Sequence, residues 1–138
     1  MPARDLPPID LTVSTVQAGE HAYVVSVEGE LDLYTTPQLT AELEAIVDGL
    51  EVVLDLSGVT FLDSTALGAI LLAARRLRDE NGALAIVTAE ASTKKLLEIV
   101  GVDRVVPVFD TPERALEHLV GSLVLRKLEQ TPEGRQQT

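Results

Sequence analysis

Short aliphatic runs of strand length alternate with amphipathic helical stretches along this chain, and this alternation constrains the fold more than any other feature. The runs 11–16 and 22–27 are separated by Gln17-Ala18-Gly19-Glu20, a spacing that predicts an antiparallel hairpin. Further strand-like runs lie at 52–56, 83–87 and 105–109. A helical pattern precedes each of these three, so they are expected to be parallel strands joined by helices. The sequence predicts an α/β fold of the order ββαβαβαβα, with helices packed on a mixed sheet.

Each helical stretch follows a residue that favours a helix N-cap. Asp63 or Ser64 is expected to cap the second helix, because both side chains accept backbone N–H groups well. The other three caps are assigned to Thr36, Ser92 and Thr111. The first three helices are expected to end at Gly49, Asn81-Gly82 and Gly101. The inward face of the last helix is expected to comprise Leu116, Leu119, Val120 and Leu123.

One domain accounts for residues 9–121, a length that can bury its own core. Pro107 removes a backbone donor from the last strand-like run, which is therefore expected at an edge of the sheet. Residues 122–138 comprise the end of the last helix and a polar tail. The sequence leaves open whether that helix continues past Gly121 to Leu128.

The composition excludes several classes of protein. The chain has no cysteine, which rules out disulfides, thiolate metal sites and thiol catalysis. Aromatic residues make up 3% of it, too few for a reader of single-stranded nucleic acid. No apolar run approaches the roughly 18 residues that span a bilayer, and the N-terminus lacks a signal-peptide core. We therefore expect a cytoplasmic protein that binds no nucleic acid and has no membrane span.

No pattern of catalytic residues is evident either. His21 and His118 are far apart and have no ligand-type neighbours. Paired carboxylates, a nucleophile–base set and a glycine-rich phosphate loop are all missing from the sequence. The expectation is a protein that is not an enzyme and that holds neither a metal nor a cofactor.

The net charge of −11 is concentrated in the first half of the chain. Residues 1–63 contain twelve acidic side chains and one basic side chain, whereas residues 64–138 contain ten of each. An acidic half would repel nucleic acid and anionic membranes and would attract a basic protein surface. It would equally serve to keep the protein in solution, so the charge by itself leaves both interpretations open.

The segment Asp63-Ser64-Thr65 is the strongest candidate for a functional site. It follows the buried run 52–56, which carries Asp55 near its end, and a loop that is expected to turn at Gly58. Function in open α/β sheets gathers at the C-terminal ends of strands. The start of a helix also tolerates an added phosphate, because its N–H groups are unpaired and carry partial positive charge. A simple N-cap would explain one of the three residues and leaves two without a structural role.

Two motifs resemble those of the STAS domain family, the anti-sigma factor antagonists. Phe61-Leu62-Asp63-Ser64-Thr65-Ala66-Leu67-Gly68 is similar to the phosphorylation-loop motif of that family. Gly29-Glu30-Leu31-Asp32 followed by Thr36-Pro37-Gln38-Leu39 is similar to its second landmark. The spacing between the two motifs and the expected element order agree with the family as well. One departure is Ala66, where the family commonly has glycine, and this puts the choice of partner in question.

The resemblance implies a regulatory switch. In such proteins the serine after the motif's aspartate, here Ser64, is phosphorylated by a kinase that is itself an anti-sigma factor. The unphosphorylated form binds that anti-sigma factor and frees the sigma factor, phosphorylation breaks the complex, and a separate phosphatase resets it. The partner surface would then include Asp32, Asp63, Thr65 and Leu67. A monomer or a weak dimer is expected.

Two alternatives remain open at this stage. The same fold also serves as a scaffold or adaptor without a switch, in stressosome-like assemblies or as an accessory to lipid transport. A receiver domain using Asp55 is the other alternative, but its Mg²⁺ site needs an acidic pair and a late lysine that the sequence does not supply.

Overall fold

The computed structural model describes residues 11–46 and 50–130. The strands are β1 (Leu11–Gln17), β2 (Ala22–Leu31), β3 (Glu51–Leu62), β4 (Ala83–Val87) and β5 (Val108–Phe109). The helices are α1 (Thr36–Glu44), α2 (Ser64–Asp79), α3 (Ala91–Val100) and α4 (Pro112–Gln130), with a 3₁₀ turn at Val102–Arg104. The predicted order ββαβαβαβα is confirmed. None of the described helices is long and apolar enough to cross a membrane.

The five strands form one mixed sheet in the order β1-β2-β3-β4-β5. β1 pairs with β2 in the predicted antiparallel hairpin, and β2, β3, β4 and β5 run parallel to one another. β5 is an edge strand of only two residues, because Pro107 precedes it and the 3₁₀ turn occupies the chain before that. It pairs with Ile86 and Val87 alone, so the first half of β4 has no strand on its outer side.

Both faces of the sheet centre are buried, which explains the continuous apolar runs of β3 and β4. On one face Leu54 and Ile86 belong to the main core, to which α1, α2 and α3 contribute Leu39, Ile70 and Leu97. On the other face α4 packs Ala115 and Leu119 against Val53, Ala85 and Val87. Strands buried on both faces are typical of parallel sheets covered by helices, as the sequence predicted.

The segment after Asp55 is not the loop that the sequence suggested. β3 continues to Leu62, and Gly58 pairs with Glu28 of β2. Two register shifts in this pairing accommodate the extra residues. A Cβ atom at Gly58 would lie 2.6 Å from Cγ of Glu28, so glycine is required there by the close approach of β2 rather than by a turn. The strand therefore ends at Leu62, directly before Asp63.

Two of the predicted caps are wrong by one or two residues. Thr36 is the first residue of α1 and is buried. Thr35 occupies the cap position, and its hydroxyl donates to the carbonyl oxygen of Glu30 instead of capping a helical N–H group. α3 begins at Ala91, so Ser92 lies inside its first turn and Glu90 is the cap residue. The caps at Asp63 and Thr111 are confirmed, since their side chains accept the N–H groups of Ala66 and Arg114.

The predicted ends of α2 and α3 agree with the structure, whereas α1 ends early: its last residue is Glu44 and Ala45 is its C-cap, before the predicted end at Gly49. Gly101 ends α3 in the left-handed region at φ 81°, and Asn81 adopts φ 68° directly after α2. Gly49 and residues 131–138 lie outside the described residues. α4 continues through Gly121 to Gln130, which answers the question that the sequence left open. Its inward face was predicted partly wrongly, because Val120 is exposed and Ala115 is buried in its place; the side chain of Leu123 lies outside the description.

Candidate functional site

The two motifs meet at the C-terminal edge of the sheet, because β2 and β3 are parallel neighbours that end together. Leu31 pairs with Leu62 in the last step of the ladder. The backbone N–H of Asp63 then donates to the carbonyl oxygen of Leu31 over 3.1 Å. Asp32 and Asp63 are thus the first residues beyond the two strands, and the structure brings together segments that lie about thirty residues apart in the sequence.

Asp63 caps α2 and presents Ser64. Its backbone is extended (φ −112°, ψ −179°), and its Oδ1 accepts the N–H of Ala66 over 3.1 Å. Its carbonyl oxygen accepts the N–H of Leu67 over 3.2 Å. Ser64 is the first helical residue, and both it and Thr65 are exposed. The hydroxyl group of Ser64 therefore lies at a helix start where backbone N–H groups point outward and favour negative charge.

Asp32 organises a tight turn after β2. Its Oδ1 accepts the N–H groups of Tyr34 over 2.9 Å and Thr35 over 3.0 Å. In return, Oγ1 of Thr35 accepts the N–H of Asp32 over 3.0 Å and donates to the carbonyl oxygen of Glu30 over 2.6 Å. The hydrogen bond from the Thr35 backbone, with smaller ones from Tyr34 and the Thr35 hydroxyl, lowers the pKa of Asp32 below its ordinary value. Asp32 remains partly exposed, so it holds the turn and still presents a carboxylate at the surface.

Three exposed apolar side chains lie in the segments that flank Asp32 and Asp63, and none of them was predicted as a site residue from the sequence. Tyr34 is 86% exposed, Leu33 is 59% exposed and Phe61 is 50% exposed. Leu33 and Tyr34 lie in the Asp32 turn, and Phe61 pairs with Glu30 three residues before Ser64. The chain has only two tyrosines and two phenylalanines, so two of its four aromatic residues are exposed at one edge. An apolar pair directly after a turn-forming aspartate is the signal that could have identified them.

Phe61 also lines a cleft between the end of β3 and the start of α3. Its volume is about 200 Å³. It is lined by Val59, Thr60, Phe61, Leu62, Ser92, Thr93 and Leu96. The lining combines apolar side chains with the hydroxyl groups of Thr60, Ser92 and Thr93.

Two residues of the motif face the core instead of the surface. Leu67 is only 4% exposed and belongs to the main core, so its assignment to the partner surface is wrong. It lies on the inward side of α2 together with Ile70. Ala66, the departure from the family motif, is fully buried as well. Its methyl group packs in the core and cannot contact a partner directly.

Asp55 does not have the surroundings of a phosphorylated receiver aspartate. It lies in the middle of β3, seven residues before the strand ends, and its Oδ1 accepts the N–H and the hydroxyl of Ser57. No group of three His, Cys, Asp or Glu residues that could hold a metal ion occurs within 11–46 and 50–130. His118 packs its ring against Phe109, with the centroids 5.2 Å apart, and has no place in the site.

Comparison with known proteins agrees with this geometry. The STAS domain model matches residues 13–115. An anti-sigma F factor antagonist from Paenibacillus polymyxa is 26% identical over 70% of this chain and 85% of its own length. An anti-sigma-B factor antagonist from Listeria monocytogenes is 30% identical over 61% of this chain and 75% of its own. The crystal structure of an anti-sigma factor antagonist from Mycobacterium paratuberculosis superposes with a TM-score of 0.74 at 30% identity, covering 82% of this chain and 97% of that one.

Proposed function

The chain belongs to the STAS domain family, and we propose that it acts there as an anti-sigma factor antagonist switched by phosphorylation of Ser64. Its unphosphorylated form binds an anti-sigma factor kinase in the cytoplasm and so frees a sigma factor. Phosphorylation ends the binding, and a phosphatase restores it. The observation that carries this proposal is the exposure of Ser64 at the first position of α2, beside a cap that Asp63 already provides.

Asp63 and Ser64 have separate roles at the start of α2. The cap position needs one acceptor, and Asp63 supplies it to Ala66. The hydroxyl of Ser64 is therefore not required to hold the helix. It can attack the γ-phosphorus of ATP bound to the kinase, with ADP leaving and the hydroxyl proton passing to a base or to solvent on the kinase side. This chain supplies the acceptor oxygen and no other catalytic group.

The surface near Ser64 supports binding of a protein partner. A contiguous patch of exposed apolar residues usually marks an interaction site. Tyr34 is the best anchor, because tyrosine is enriched among residues that dominate binding energy and the Asp32 turn fixes its backbone in advance. We define the partner surface as Asp32, Leu33, Tyr34, Phe61, Asp63, Ser64 and Thr65, and we leave Leu67 out of it.

A phosphate group on Ser64 would oppose binding to the partner. It adds a charge of about −1.5 to −2 to a surface that already holds the carboxylates of Asp32 and Asp63. In a complex, the apolar patch and the phosphate would be desolvated together, which opposes binding. A shift from almost fully bound to almost fully free requires a differential affinity of about 10⁴-fold. A doubly charged phosphate on the partner surface can supply most of this difference in affinity.

The test begins with the site of modification. The protein is incubated with candidate anti-sigma factor kinases and ATP, and the product is digested after glutamate. Cleavage after Glu51 and Glu80 yields a peptide of residues 52–80, which contains Ser57, Thr60, Ser64 and Thr65 as acceptors. Trypsin is unsuitable here, because no lysine or arginine occurs between Arg4 and Arg75. Fragmentation is expected to place the phosphate on Ser64.

Matched variants separate the switch from other roles. Ser64→Ala is expected to abolish the modification, whereas Thr65→Ala is expected to retain it. Phosphate on Thr65 or Ser57 in the unaltered protein would contradict the proposal. If the chain binds a candidate anti-sigma factor but no kinase modifies it, the protein is a scaffold of the same family and the switch is refuted.

A further inference from the structure

A second cleft lies away from Ser64, between the C-terminal half of α2, α4 and the start of β4. It exists because β5 pairs only with Ile86 and Val87, so that no strand covers the outer side of Ala83 and Leu84. Its volume is about 250 Å³. We call it the α2–α4 cleft. It is lined by Leu71, Ala74, Arg75, Arg78, Gly82, Ala83, Leu84, Val105, Pro107, His118 and Leu119.

The walls of the α2–α4 cleft are aliphatic. Leu84 and Leu119 are buried at its base, and Leu71 and Ala74 line the side formed by α2. Ligand sites in proteins are mostly apolar concavities with a few polar groups that fix the orientation of the ligand. Phenylalanine, tyrosine and tryptophan are absent from the lining, so a planar aromatic ligand would find stacking partners only in the polar groups Arg75, Arg78 and His118. An aliphatic chain fits these walls better.

The charged groups of the cleft are two guanidinium groups. Arg75 and Arg78 are both exposed at its rim, and His118 lies on the side formed by α4. The arginine between them behaves differently, because Arg76 donates to the carbonyl oxygens of Leu43 over 2.7 Å and Ile46 over 3.3 Å and pairs with Glu80 over 3.2 Å. Within the part of the chain that the structure describes, neither Arg75 nor Arg78 has an ion-pair partner.

Arg75 and Arg78, unpaired among the described residues, lie beside an apolar cleft in a chain whose net charge is −11. Arginine recognises carboxylates through paired N–H donors of matching geometry. We propose that the α2–α4 cleft binds a medium-chain carboxylate, whose chain lies among Leu71, Ala74, Leu84 and Leu119 and whose carboxylate meets Arg75 and Arg78. The proposal does not depend on Ser64 or on the partner surface. The protein would then bind an amphipathic anion in addition to its protein partner.

The test is a titration of the ¹⁵N-labelled protein with sodium octanoate below its micelle concentration. Saturable amide shifts are expected at Gly82, Ala83 and His118. 1-Octanol has the same chain without the charge, and we expect it to bind at least about tenfold more weakly, which corresponds to about 1.4 kcal/mol. No saturable shift with octanoate, or equal binding of the alcohol, would overturn the proposal.

Variants locate the carboxylate and the chain. The double variant Arg75→Gln/Arg78→Gln is expected to weaken octanoate binding at least tenfold with an unchanged thermal midpoint, since both side chains are exposed. Lys95→Gln removes a charge from the exposed side of α3 and is the matched control, for which we expect unchanged binding. Ala74→Leu narrows the cleft with both arginines in place and is expected to weaken binding too. Unchanged binding in the double variant would refute the site.

A protein partner could supply the same combination of aliphatic groups and carboxylates, and a titration with a peptide tests this alternative. Acetyl-Leu-Glu-Leu-Glu-amide offers aliphatic side chains and carboxylates on a protein backbone. We expect it to bind more weakly than octanoate, because its backbone cannot enter a cleft of this size. Binding of the peptide at Gly82 and Ala83 without binding of octanoate would overturn the proposal in favour of a protein partner.

Discussion

The ends of β2 and β3 are held by the same kind of hydrogen bond, but the residues exposed beside them differ in chemistry. Each strand is followed by an aspartate whose Oδ1 accepts backbone N–H groups: Asp32 from Tyr34 and Thr35, and Asp63 from Ala66. The first arrangement makes a turn that exposes Leu33 and Tyr34, and the second begins a helix that exposes Ser64 and Thr65. The aspartates thus hold the two segments in place, while the residues beside them carry the apolar contact and the switch.

We assign partner binding to the end of β2 and the phosphorylation switch to the end of β3. The variant with the largest expected effect tests the switch. Ser64→Asp adds a charge at the centre of the partner surface and is expected to weaken binding to the anti-sigma factor at least about a hundredfold, about 2.7 kcal/mol. Isothermal titration calorimetry measures it. Ser64→Asn has a similar size without the charge and is expected to bind within a few fold of the unaltered protein. Similar weakening by both variants would show that bulk, and not charge, operates the switch.

The end of β2 is tested by removing its most exposed aromatic side chain. Tyr34→Ala is expected to weaken the same complex about thirtyfold, because truncation of a central anchor typically costs about 2 kcal/mol or more. Because the anti-sigma factor is itself the kinase, the rate of phosphorylation at low kinase concentration is expected to fall with the affinity, while the modified residue remains Ser64. Val16→Ala is the control, since Val16 is also exposed, at 63%, and lies at the opposite end of the sheet. Equal loss of affinity in the two variants would remove Tyr34 from the partner surface.

Folding stability distinguishes the structural residue from the switch at the end of β3. Asp63→Ala removes the acceptor for the Ala66 N–H and is expected to lower the free energy of unfolding by about 1 kcal/mol, which shifts the thermal midpoint by a few degrees. Asp63→Asn retains an acceptor and should stay near the original midpoint. Ser64→Ala is expected to leave the midpoint unchanged. A larger loss for Ser64→Ala than for Asp63→Ala would reverse the division of labour.

The smallest expected effect concerns Asp32 and pH. The folded state lowers the pKa of Asp32 below the ordinary value of 3.8, chiefly through the Thr35 backbone hydrogen bond, so the unfolded state binds the proton more readily. The stabilisation is therefore fully present above pH 3.8 and is lost as the pH falls through the folded-state pKa. Thermal unfolding between pH 5 and pH 2 should show a shallower acid dependence in Asp32→Asn than in the original protein. Identical slopes would contradict the role of the carboxylate in the turn.

The fold was largely predictable because its information is local. The strand and helix periodicities predicted the element order, Pro107 predicted the edge position of β5, and cap chemistry identified Asp63 and Thr111. The continuation of β3 through Ser57-Gly58 was not predictable in this way. It depends on pairing with Glu28 and Gly29 some thirty residues earlier, and on register shifts that leave no periodic pattern.

The site was predictable only in part, for a related reason. Ser64 follows from the cap that precedes it, since a helix start with a second hydroxyl beside an aspartate is visible in the sequence. Leu67 and Tyr34 were not assigned correctly, because periodicity does not report whether a motif residue faces the core or whether an apolar residue in a turn is exposed. Both depend on how α2 and the Asp32 turn are set against the sheet.

The central claim is that one phosphate on the Ser64 oxygen separates this protein from its anti-sigma factor. Its most direct measurement compares the affinity of kinase-treated protein, with the phosphate located on Ser64, with that of the same sample after treatment with a serine phosphatase. The account predicts at least a hundredfold weaker binding for the phosphorylated sample and full recovery after dephosphorylation. Equal affinity of the two samples for the same anti-sigma factor would contradict it.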